Sequence, residues 1–315
     1  MRVDQTLAFI FPGQGSQSVG MLVELAGQEP VVEATFVEAS DVLGYDLWDL
    51  VKHGPEERLN ATEFTQPAML AAGVAAWRVW CEHTAIRPAW MAGHSLGEYT
   101  ALVCAQSLDF HDGLRLVTQR AQLMQQAVPA DVGAMAAVLG LEDDQVVAVC
   151  EQASEGGLIV KAANFNAPGQ VVIAGHRDAV TRATELAKAA GAKRALILPV
   201  SVPSHCPLMQ PAAERFQSLL QQVNFAVPVT PVLHNVDVNR HAEAEAIRHA
   251  LVSQLSGSVR WAESVRAMAD AGVHRFIECG PGRVLAGLNK RIVPDAQTET
   301  IFDTASLLKA KGLVQ

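Results

Sequence analysis

Aromatic and charged side chains are both scarce in this sequence: aromatic residues make up 5% of its 315 residues and charged residues 18%. Hydrophobic residues make up 50%, which is enough to bury a substantial core in one large domain or two smaller ones. Alanine, valine and leucine are abundant within that apolar content. Such a composition favours parallel sheets covered by helices over a β-sandwich, so we predict an α/β protein.

Cysteine is also rare, and its five positions (81, 104, 150, 206 and 279) are scattered without any Cys-x-x-Cys pair. An odd and scattered set argues against a disulfide framework. The lack of closely spaced cysteines likewise argues against a structural zinc site. We therefore expect neither a metal site nor a cofactor.

Long apolar runs and an excess of positive charge are missing as well. The apolar stretch at 7–11 is too short for the core of a signal peptide and is cut off by Pro12 and Gly13. No other apolar run approaches membrane-spanning length. The net charge of −9 argues against nucleic acid as a partner, because phosphate binding needs concentrated Lys and Arg. We expect a cytoplasmic protein with no nucleic-acid or membrane partner.

The most informative motif is Gly-His-Ser-Leu-Gly at 93–97, between an apolar run at 88–92 and helix-forming sequence from 98 onward. A strand, a Gly-x-Ser-x-Gly turn and a helix form a nucleophile elbow, in which the sharp turn exposes the serine hydroxyl. The helix N-terminus behind the serine favours negative charge that develops there. The motif makes Ser95 a candidate nucleophile, and an ordinary Ser-Gly turn is the alternative.

A serine nucleophile needs a base, usually a histidine, and the sequence offers ten histidines. His205 differs from the others because it follows a predicted strand, in a loop bounded by Pro203 and Pro207. A rigid loop at a strand end is a place where a scaffold presents a catalytic group. Alternatively, His205 caps the next helix, and this segment alone leaves both interpretations open.

A second glycine-rich loop, Gly-Gln-Gly-Ser-Gln at 13–17, follows the first predicted strand. Glycine loops can cradle phosphates, but this one lacks the Lys-Ser/Thr pair of a P-loop and the spacing of a dinucleotide-binding loop. It better fits the separate loop that supplies one backbone N–H of an oxyanion hole. An ordinary turn is the other interpretation.

Arg120 lies on the apolar side of the helix that periodicity predicts over 111–126. An arginine in that position usually extends its charged end to water. Alternatively it is buried and pairs with a carboxylate through two parallel hydrogen bonds. The second arrangement would indicate an acidic substrate.

Strand and helix patterns divide the chain into two predicted domains. Residues 1–128 and 199–315 form a large α/β domain, and residues 129–198 form a small domain inserted into it. The inserted segment follows the order β-α-β-β-α-β, which is the ferredoxin-like order.

Within the large domain, breaker residues and periodicity predict further elements. The pattern predicts a helix over 68–82 with Pro67 near its first turn. It also predicts a helix over 207–223 and a strand over 229–235, and it gives little signal after Ile301.

Taken together, these motifs resemble one family over nearly the whole chain, the malonyl-CoA:acyl-carrier-protein transacylases of fatty acid synthesis. Beyond the two glycine loops, the matching segments lie at 65–68, 119–120, 164–175, 203–205, 235–237, 254–255, 259–261 and 278–282. Several motifs in the same order are far more specific than any single one.

The resemblance implies a hydrolase-like large domain that carries the ferredoxin-like small one, and a Ser–His dyad without a carboxylate. It implies that Ser95 is the acylated nucleophile and that His205 is its base. Gln14 and Leu96 would supply the two backbone oxyanion donors. Arg120 would bind the malonyl carboxylate, and the backbone near Gln254 would orient His205. It also implies malonyl-CoA and acyl carrier protein as partners. We expect a monomer.

Other functions are less well supported by the sequence. A serine esterase or thioesterase would need an Asp or Glu between nucleophile and histidine, and no acidic residue outside the inserted segment occupies a convincing strand end there. Intact Ser95, His205 and Arg120 argue against a non-catalytic binding domain. Within the family, an acyltransferase of a polyketide or malonate decarboxylase system is the alternative, and the free-standing length favours fatty acid synthesis.

A carrier protein would need a local basic patch on this acidic chain, because acyl carrier proteins are themselves typically acidic. The candidate residues are Lys188, Lys193, Arg194, Lys290 and Arg291. All five can equally be solvated surface charges.

Overall fold

Two β-sheets organise the fold, one parallel and one antiparallel. The structure is a computed structural model that describes residues 2–129, 131–200 and 202–314. The strands are β1 (Arg2–Phe11), β2 (Ile86–Gly93), β3 (Gly133–Leu139), β4 (Val160–Ala167), β5 (Gln170–His176), β6 (Arg194–Ile197), β7 (Val232–Leu233), β8 (Arg275–Cys279) and β9 (Gln297–Ile301).

Helices connect the strands and cover both sheets. They are α1 (Val23–Ala26), α2 (Pro30–Leu43), α3 (Leu47–His53), α4 (Glu56–Asn60), α5 (Thr62–His83), α6 (Gly97–Cys104), α7 (Phe110–Gln126), α8 (Asp143–Ala153), α9 (Arg177–Ala189), α10 (Gln210–Leu220), α11 (Ala244–Ser256), α12 (Trp261–Asp270), α13 (Val284–Ile292) and α14 (Thr304–Leu313). Within the described ranges, none of these helices is long and apolar enough to cross a bilayer.

β1 lies at the centre of the parallel sheet, whose strand order is β7-β2-β1-β8-β9. Leu7, Phe9 and Phe11 are fully buried in one apolar core, and Ala8 and Ile10 are fully buried in another. Alternate residues of a strand point to opposite faces of its sheet, so both faces are covered, as a parallel sheet requires.

The antiparallel sheet, with the order β4-β5-β3-β6, comes from the middle of the chain. Together with α8 and α9, its strands follow the β-α-β-β-α-β order of a ferredoxin-like unit, and they enclose an apolar core of their own. The predicted fold class, a hydrolase-like parallel-sheet domain with a ferredoxin-like small one, is confirmed. We propose the predicted division at 129 and 198 as the boundary between the two units.

The carboxyl ends of β1 and β2 lie side by side, because Phe11 pairs with Gly93. The N–H of His94 donates to the carbonyl of Phe11 at 3.0 Å. Loops that follow neighbouring parallel strands leave the sheet at the same edge. The glycine loop after β1 and the turn after β2 are therefore adjacent.

The start of α5 differs from the prediction. The helix begins at Thr62 rather than near 68, so Pro67 lies inside it and not in its first turn. The hydroxyl of Thr65 donates to the carbonyl of Leu59 at 2.6 Å and so connects this extra turn to α4. Pro67 removes one backbone hydrogen bond, and burial of most of α5 outweighs that loss.

Two other predicted elements are shorter than expected. The predicted strand at 229–235 is reduced to the two residues of β7, because the N–H of Val229 bonds to the carbonyl of Ala105 outside the sheet. The predicted helix at 207–223 divides into a short 3₁₀ turn (Pro207–Met209) and α10.

The segment after 301, for which the sequence pattern predicts no clear element, forms α14. The side chain of Asp303 accepts from the N–H of Ser306, and the Ser306 hydroxyl accepts from the N–H of Asp303. This reciprocal capping arrangement satisfies donors at the helix N-terminus and is the local signal that could have predicted it.

Candidate active site

The turn between β2 and α6 is a nucleophile elbow. Ser95 stands two residues after the end of β2 and has φ of 52°, a left-handed conformation that L-residues other than glycine seldom adopt. α6 begins at Gly97, directly behind the serine. Such strain persists only when the surroundings fix the backbone, so the neighbours of Ser95 decide where its hydroxyl points.

Two glycines of the elbow allow the backbones to approach closely. A Cβ at Gly97 would stand 2.0 Å from the carbonyl oxygen of Phe11, and one at Gly93 would stand 1.8 Å from the carbonyl carbon of Gly97. No side chain fits at either position. Because glycine is present, the start of α6 packs directly against the end of β1.

Ser95 and His205 form a hydrogen-bonded pair. The Ser95 Oγ lies 2.7 Å from Nε2 of His205, and Nδ1 of His205 lies 2.7 Å from the carbonyl oxygen of Gln254. A carbonyl can only accept, so Nδ1 carries the ring proton and Nε2 accepts from the serine hydroxyl. This is the tautomer that a general base needs.

The His205 imidazole is held in its neutral form. Only 3% of His205 is exposed, and burial lowers its pKa to about 3, with the positive charge of Arg120 contributing in the same direction. The residue has φ of 61°, and its N–H donates to the carbonyl of Leu255 at 3.1 Å. The base is thus fixed by its backbone as well as by its ring.

Arg120 is buried beside this pair, with 1% of the residue exposed. Its Nη1 donates to Oε1 of Gln66 at 2.9 Å. Its Nη2 donates to Oε1 of Gln254 at 2.9 Å and to Oγ of Ser95 at 3.2 Å. Among the described residues, no carboxylate is hydrogen-bonded to this guanidinium and its Nε has no hydrogen-bond partner. The buried carboxylate of Glu98 interacts with its charge only through space. A buried cation without a directly paired anion is costly, so the site is prepared for an anionic ligand.

Gln254 connects the base, the nucleophile and the arginine. Its backbone carbonyl accepts from His205, its side-chain oxygen accepts from Arg120, and its side-chain nitrogen donates to the carbonyl of Ser95 at 3.1 Å. The sequence resemblance assigned Gln254 only the first of these contacts. Gln66, the other amide on Arg120, was not identified as a site residue, although its motif at 65–68 was noted.

The backbone N–H groups of Gln14 and Leu96 have no acceptor within the described parts of the chain, and both residues border the cavity that contains Ser95. The Gln14 side chain accepts from the Thr62 hydroxyl at 2.8 Å, which connects the glycine loop to the start of α5. Two free donors beside a nucleophile are what an oxyanion hole requires.

The cavity has a volume of about 460 Å³ and lies between the two sheets. The large unit contributes the dyad and Arg120, and the small unit contributes Met135, Asn166 and Val172 to the opposite wall. His94 does not contact the nucleophile: its Nε2 bonds to Oδ1 of Asn166 at 2.8 Å, and burial lowers its pKa. The elbow is therefore linked directly to the small unit.

All six site residues named from the sequence border this cavity or contact a residue that does. The arrangement provides a serine nucleophile, a neutral histidine base, two candidate oxyanion donors and a buried cation. This set can carry out nucleophilic acyl chemistry on a substrate that bears a negative charge. Among the described residues, no cluster of metal-ligating side chains is present.

Comparisons with known proteins agree with the geometry. Residues 8–304 match the acyl transferase domain family. The chain is 56% identical over 303 residues to the malonyl CoA-acyl carrier protein transacylase of Escherichia coli, covering 96% of this chain and 97% of that protein. It superposes with a TM-score of 0.95 on an acyl carrier protein S-malonyltransferase of Vibrio cholerae, at 56% identity and with 96% and 99% of the two chains covered.

A further solved structure is a malonyl-transacylase in complex with its type II polyketide acyl-carrier protein. It has a TM-score of 0.95 and 56% identity, and the alignment covers 96% of this chain and 98% of that one. The resemblance stated from the sequence motifs is confirmed.

The close approach at Gly97 gives a testable prediction for stability. Gly97→Ala places a Cβ 2.0 Å from the Phe11 carbonyl oxygen, so the free energy of unfolding should fall by about 3 kcal/mol or more. The matched control is Gly287→Ala within α13, where a Cβ meets no atom within 4 Å and should stabilise by up to about 1 kcal/mol. Urea unfolding measures both, and equal small effects would contradict the proposed packing of the elbow.

Proposed function

The chain belongs to the acyl transferase domain family, and we propose that it transfers the malonyl group from malonyl-CoA to the phosphopantetheine thiol of acyl carrier protein in fatty acid biosynthesis. The observation that carries the proposal is the buried Arg120 guanidinium, which has no hydrogen-bonded carboxylate among the described residues and lies 3.2 Å from the Ser95 hydroxyl. An acyl group with its own carboxylate supplies the missing anion beside the nucleophile.

Acylation begins with proton transfer from the Ser95 hydroxyl to Nε2 of His205 as the serine oxygen attacks the thioester carbonyl. The developing oxyanion receives hydrogen bonds from the backbone N–H groups of Gln14 and Leu96. Collapse of the tetrahedral intermediate breaks the carbon–sulfur bond. His205 returns its proton to the departing coenzyme A sulfur, which leaves malonyl-Ser95 and a neutral imidazole.

Transfer to the carrier runs through the same groups in reverse. The phosphopantetheine thiol gives its proton to His205 as its sulfur attacks the malonyl-Ser95 ester. The intermediate collapses to the carrier thioester, and Ser95 regains its proton from the imidazolium. Each half-reaction thus begins and ends with a neutral His205, whose Nδ1 proton is donated to the carbonyl of Gln254.

The malonyl carboxylate also changes the electrostatics of the base. Arg120 lowers the pKa of His205 in addition to the effect of burial. A carboxylate that pairs with Arg120 offsets this positive charge, so the pKa of His205 rises towards a value useful for proton transfer. A neutral acyl group such as acetyl cannot do this.

Several features of the cellular context belong to the same proposal. We place the reaction in the cytoplasm, which is consistent with five free cysteines, and the expected monomer stays a prediction.

A polyketide carrier is the second candidate acceptor, because a 56% identical relative is found with one. Of the five candidate docking cations, Arg291 bonds to Gln170 and Pro168 of the small unit and so serves the contact between units.

Covalent labelling tests the nucleophile. Incubation with malonyl-CoA should add one malonyl group to the wild-type protein, and peptide mapping should locate it on Ser95, because that hydroxyl bonds to the base. Ser95→Ala should keep its fold and take up no label. The control Ser107→Ala changes a buried serine outside the cavity and should still be labelled. A malonyl group on Cys206 or another residue would contradict the mechanism.

Substrate selectivity tests Arg120. Loss of a charge-assisted hydrogen bond costs about 1.5–3 kcal/mol, so Arg120→Ala should lower kcat/KM for malonyl-CoA roughly tenfold to a hundredfold. Transfer from acetyl-CoA should be unchanged or faster, since acetyl has no carboxylate to leave unpaired. Arg120→Lys should recover only part of the malonyl activity, because a point charge cannot reproduce the planar fork.

The matched control for this experiment is Arg115→Ala, an exposed arginine on the same helix, which should leave both activities unchanged. The measured quantity is the ratio of malonyl to acetyl transfer. If Arg120→Ala lowers both activities while that ratio stays constant, Arg120 serves only to hold the helix, and the selectivity for an acidic acyl group lies elsewhere.

The pH dependence tests His205. The base works in its neutral form, and the acid limb of kcat/KM reports its pKa in the free enzyme. Because that pKa is lowered to about 3, kcat/KM for malonyl-CoA should stay nearly constant down to about pH 5. A histidine with an ordinary pKa of about 6.5 would lose about 25-fold between about pH 7 and about pH 5.

When both proteins are assayed with acetyl-CoA, the acid limb of kcat/KM should lie at higher pH for Arg120→Ala than for the wild type. The reason is that the charge that lowers the pKa of His205 is gone. Thermal unfolding at each pH serves as the control for loss of structure. A wild-type limb centred near an ordinary histidine pKa would show that His205 is not held neutral in the folded protein.

A further inference from the structure

Asn235 contacts the nucleophile elbow from the loop after β7. The residue is fully buried. Its Nδ2 donates to the carbonyl of Gly93 at 2.7 Å, and its Oδ1 accepts from the backbone N–H of Ser95 at 2.7 Å. One amide side chain therefore connects the residues on both sides of His94, across the sharpest part of the turn.

The orientation of this amide is determined by its partners. The Gly93 carbonyl can only accept and the Ser95 N–H can only donate, so the amide nitrogen and oxygen cannot exchange places. No other side chain of this size offers one donor and one acceptor in a neutral fork. Asn235 thus satisfies two buried backbone groups that would otherwise be unpaired.

Glu98 fixes Asn235 in turn. This fully buried carboxylate, in the first turn of α6, accepts from the backbone N–H of Asn235 at 2.8 Å and from Nδ1 of His234 at 2.7 Å. The chain after β7 is thereby attached to the helix that follows the nucleophile. Removal of either partner would leave buried polar groups of the other unsatisfied.

Both backbone polar groups of Ser95 are already hydrogen-bonded to side chains. Its N–H is occupied by Asn235, and its carbonyl accepts from the side chain of Gln254. The N–H of Ser95 is therefore not available to an oxyanion, whereas that of Leu96 is. The backbone of Ser95 has φ of 52°, and these two bonds hold it where Oγ reaches His205.

We propose that Asn235 is a positioning residue for acyl transfer, which holds the strained backbone of Ser95 so that its hydroxyl meets both His205 and the substrate carbonyl. Glu98 positions Asn235 through the backbone N–H of that residue. This inference deepens the proposed function and rests on it in one respect, namely that Ser95 is the nucleophile.

The test compares two substitutions of Asn235 with a structural control. Asn235→Leu keeps the approximate size but removes both hydrogen bonds. Misplacement of a nucleophile lowers its rate, so kcat should fall on the order of 10²-fold while KM for malonyl-CoA stays within about twofold. Asn235→Asp keeps an acceptor for the Ser95 N–H but loses the donor to Gly93, and it should show an intermediate loss.

The control is Ser107→Ala, which removes a buried hydrogen bond of 2.6 Å to the carbonyl of Ala226. It should lower the melting temperature and leave kcat unchanged, which separates a loss of stability from a loss of position. If Asn235→Leu does not fold, Asn235→Asp decides the outcome alone. Wild-type kcat for either folded variant, with only the melting temperature lowered, overturns the inference.

A second readout does not depend on the natural substrate. Diisopropyl fluorophosphate reacts with an activated serine hydroxyl, and its rate of reaction with Ser95 should fall in both Asn235 variants by a similar factor to kcat. If the wild-type protein reacts with this reagent but not with malonyl-CoA, the proposed function fails and the role of Asn235 is still measured. Equal reagent rates in wild type and Asn235→Leu would overturn the positioning role.

Discussion

The direct contact between the start of α6 and the end of β1 is the constraint on which the site depends. Without side chains at Gly93 and Gly97, the helix lies against the Phe11 carbonyl at a distance that no Cβ permits. That contact turns the chain sharply at Ser95 and places it beside the glycine loop that follows β1. The nucleophile and a candidate oxyanion donor therefore come from two loops that the register of the parallel sheet brings together.

Burial of a charge that no carboxylate of the described residues directly pairs with is the second organising feature. Arg120 is surrounded by neutral oxygens of Gln66, Gln254 and Ser95 rather than by carboxylates. Neutral acceptors satisfy part of its hydrogen-bonding capacity without pairing its charge directly. The same charge, added to burial, keeps His205 neutral, so one arginine affects both the specificity and the base.

The sequence predicts those parts of the site that depend on local motifs. The elbow at 93–97 carries its own signal, and the sheet and the ferredoxin-like unit follow from periodicity, because strand alternation and helix spacing are local properties. Gln66, Glu98 and Asn235 were missed as site residues, since each acts through partners far away in the chain: Asn235 lies 140 residues from Ser95. The predicted strand at 229–235 is too long for a similar reason, because the N–H of Val229 bonds to the carbonyl of Ala105, which lies far away in the chain.

The choice of a carbonyl rather than a carboxylate behind His205 follows from the charge of the site. An Asp or Glu bonded to Nδ1 of His205 would raise the pKa of the imidazole and would lie close to Arg120. It would then neutralise the guanidinium from within the protein, and the place for a substrate carboxylate would lose its attraction. The Gln254 carbonyl accepts from the same ring nitrogen at 2.7 Å without adding charge. A serine–histidine dyad oriented by a neutral carbonyl thus lets one cavity contain both a serine nucleophile and an open binding position for an acidic acyl group.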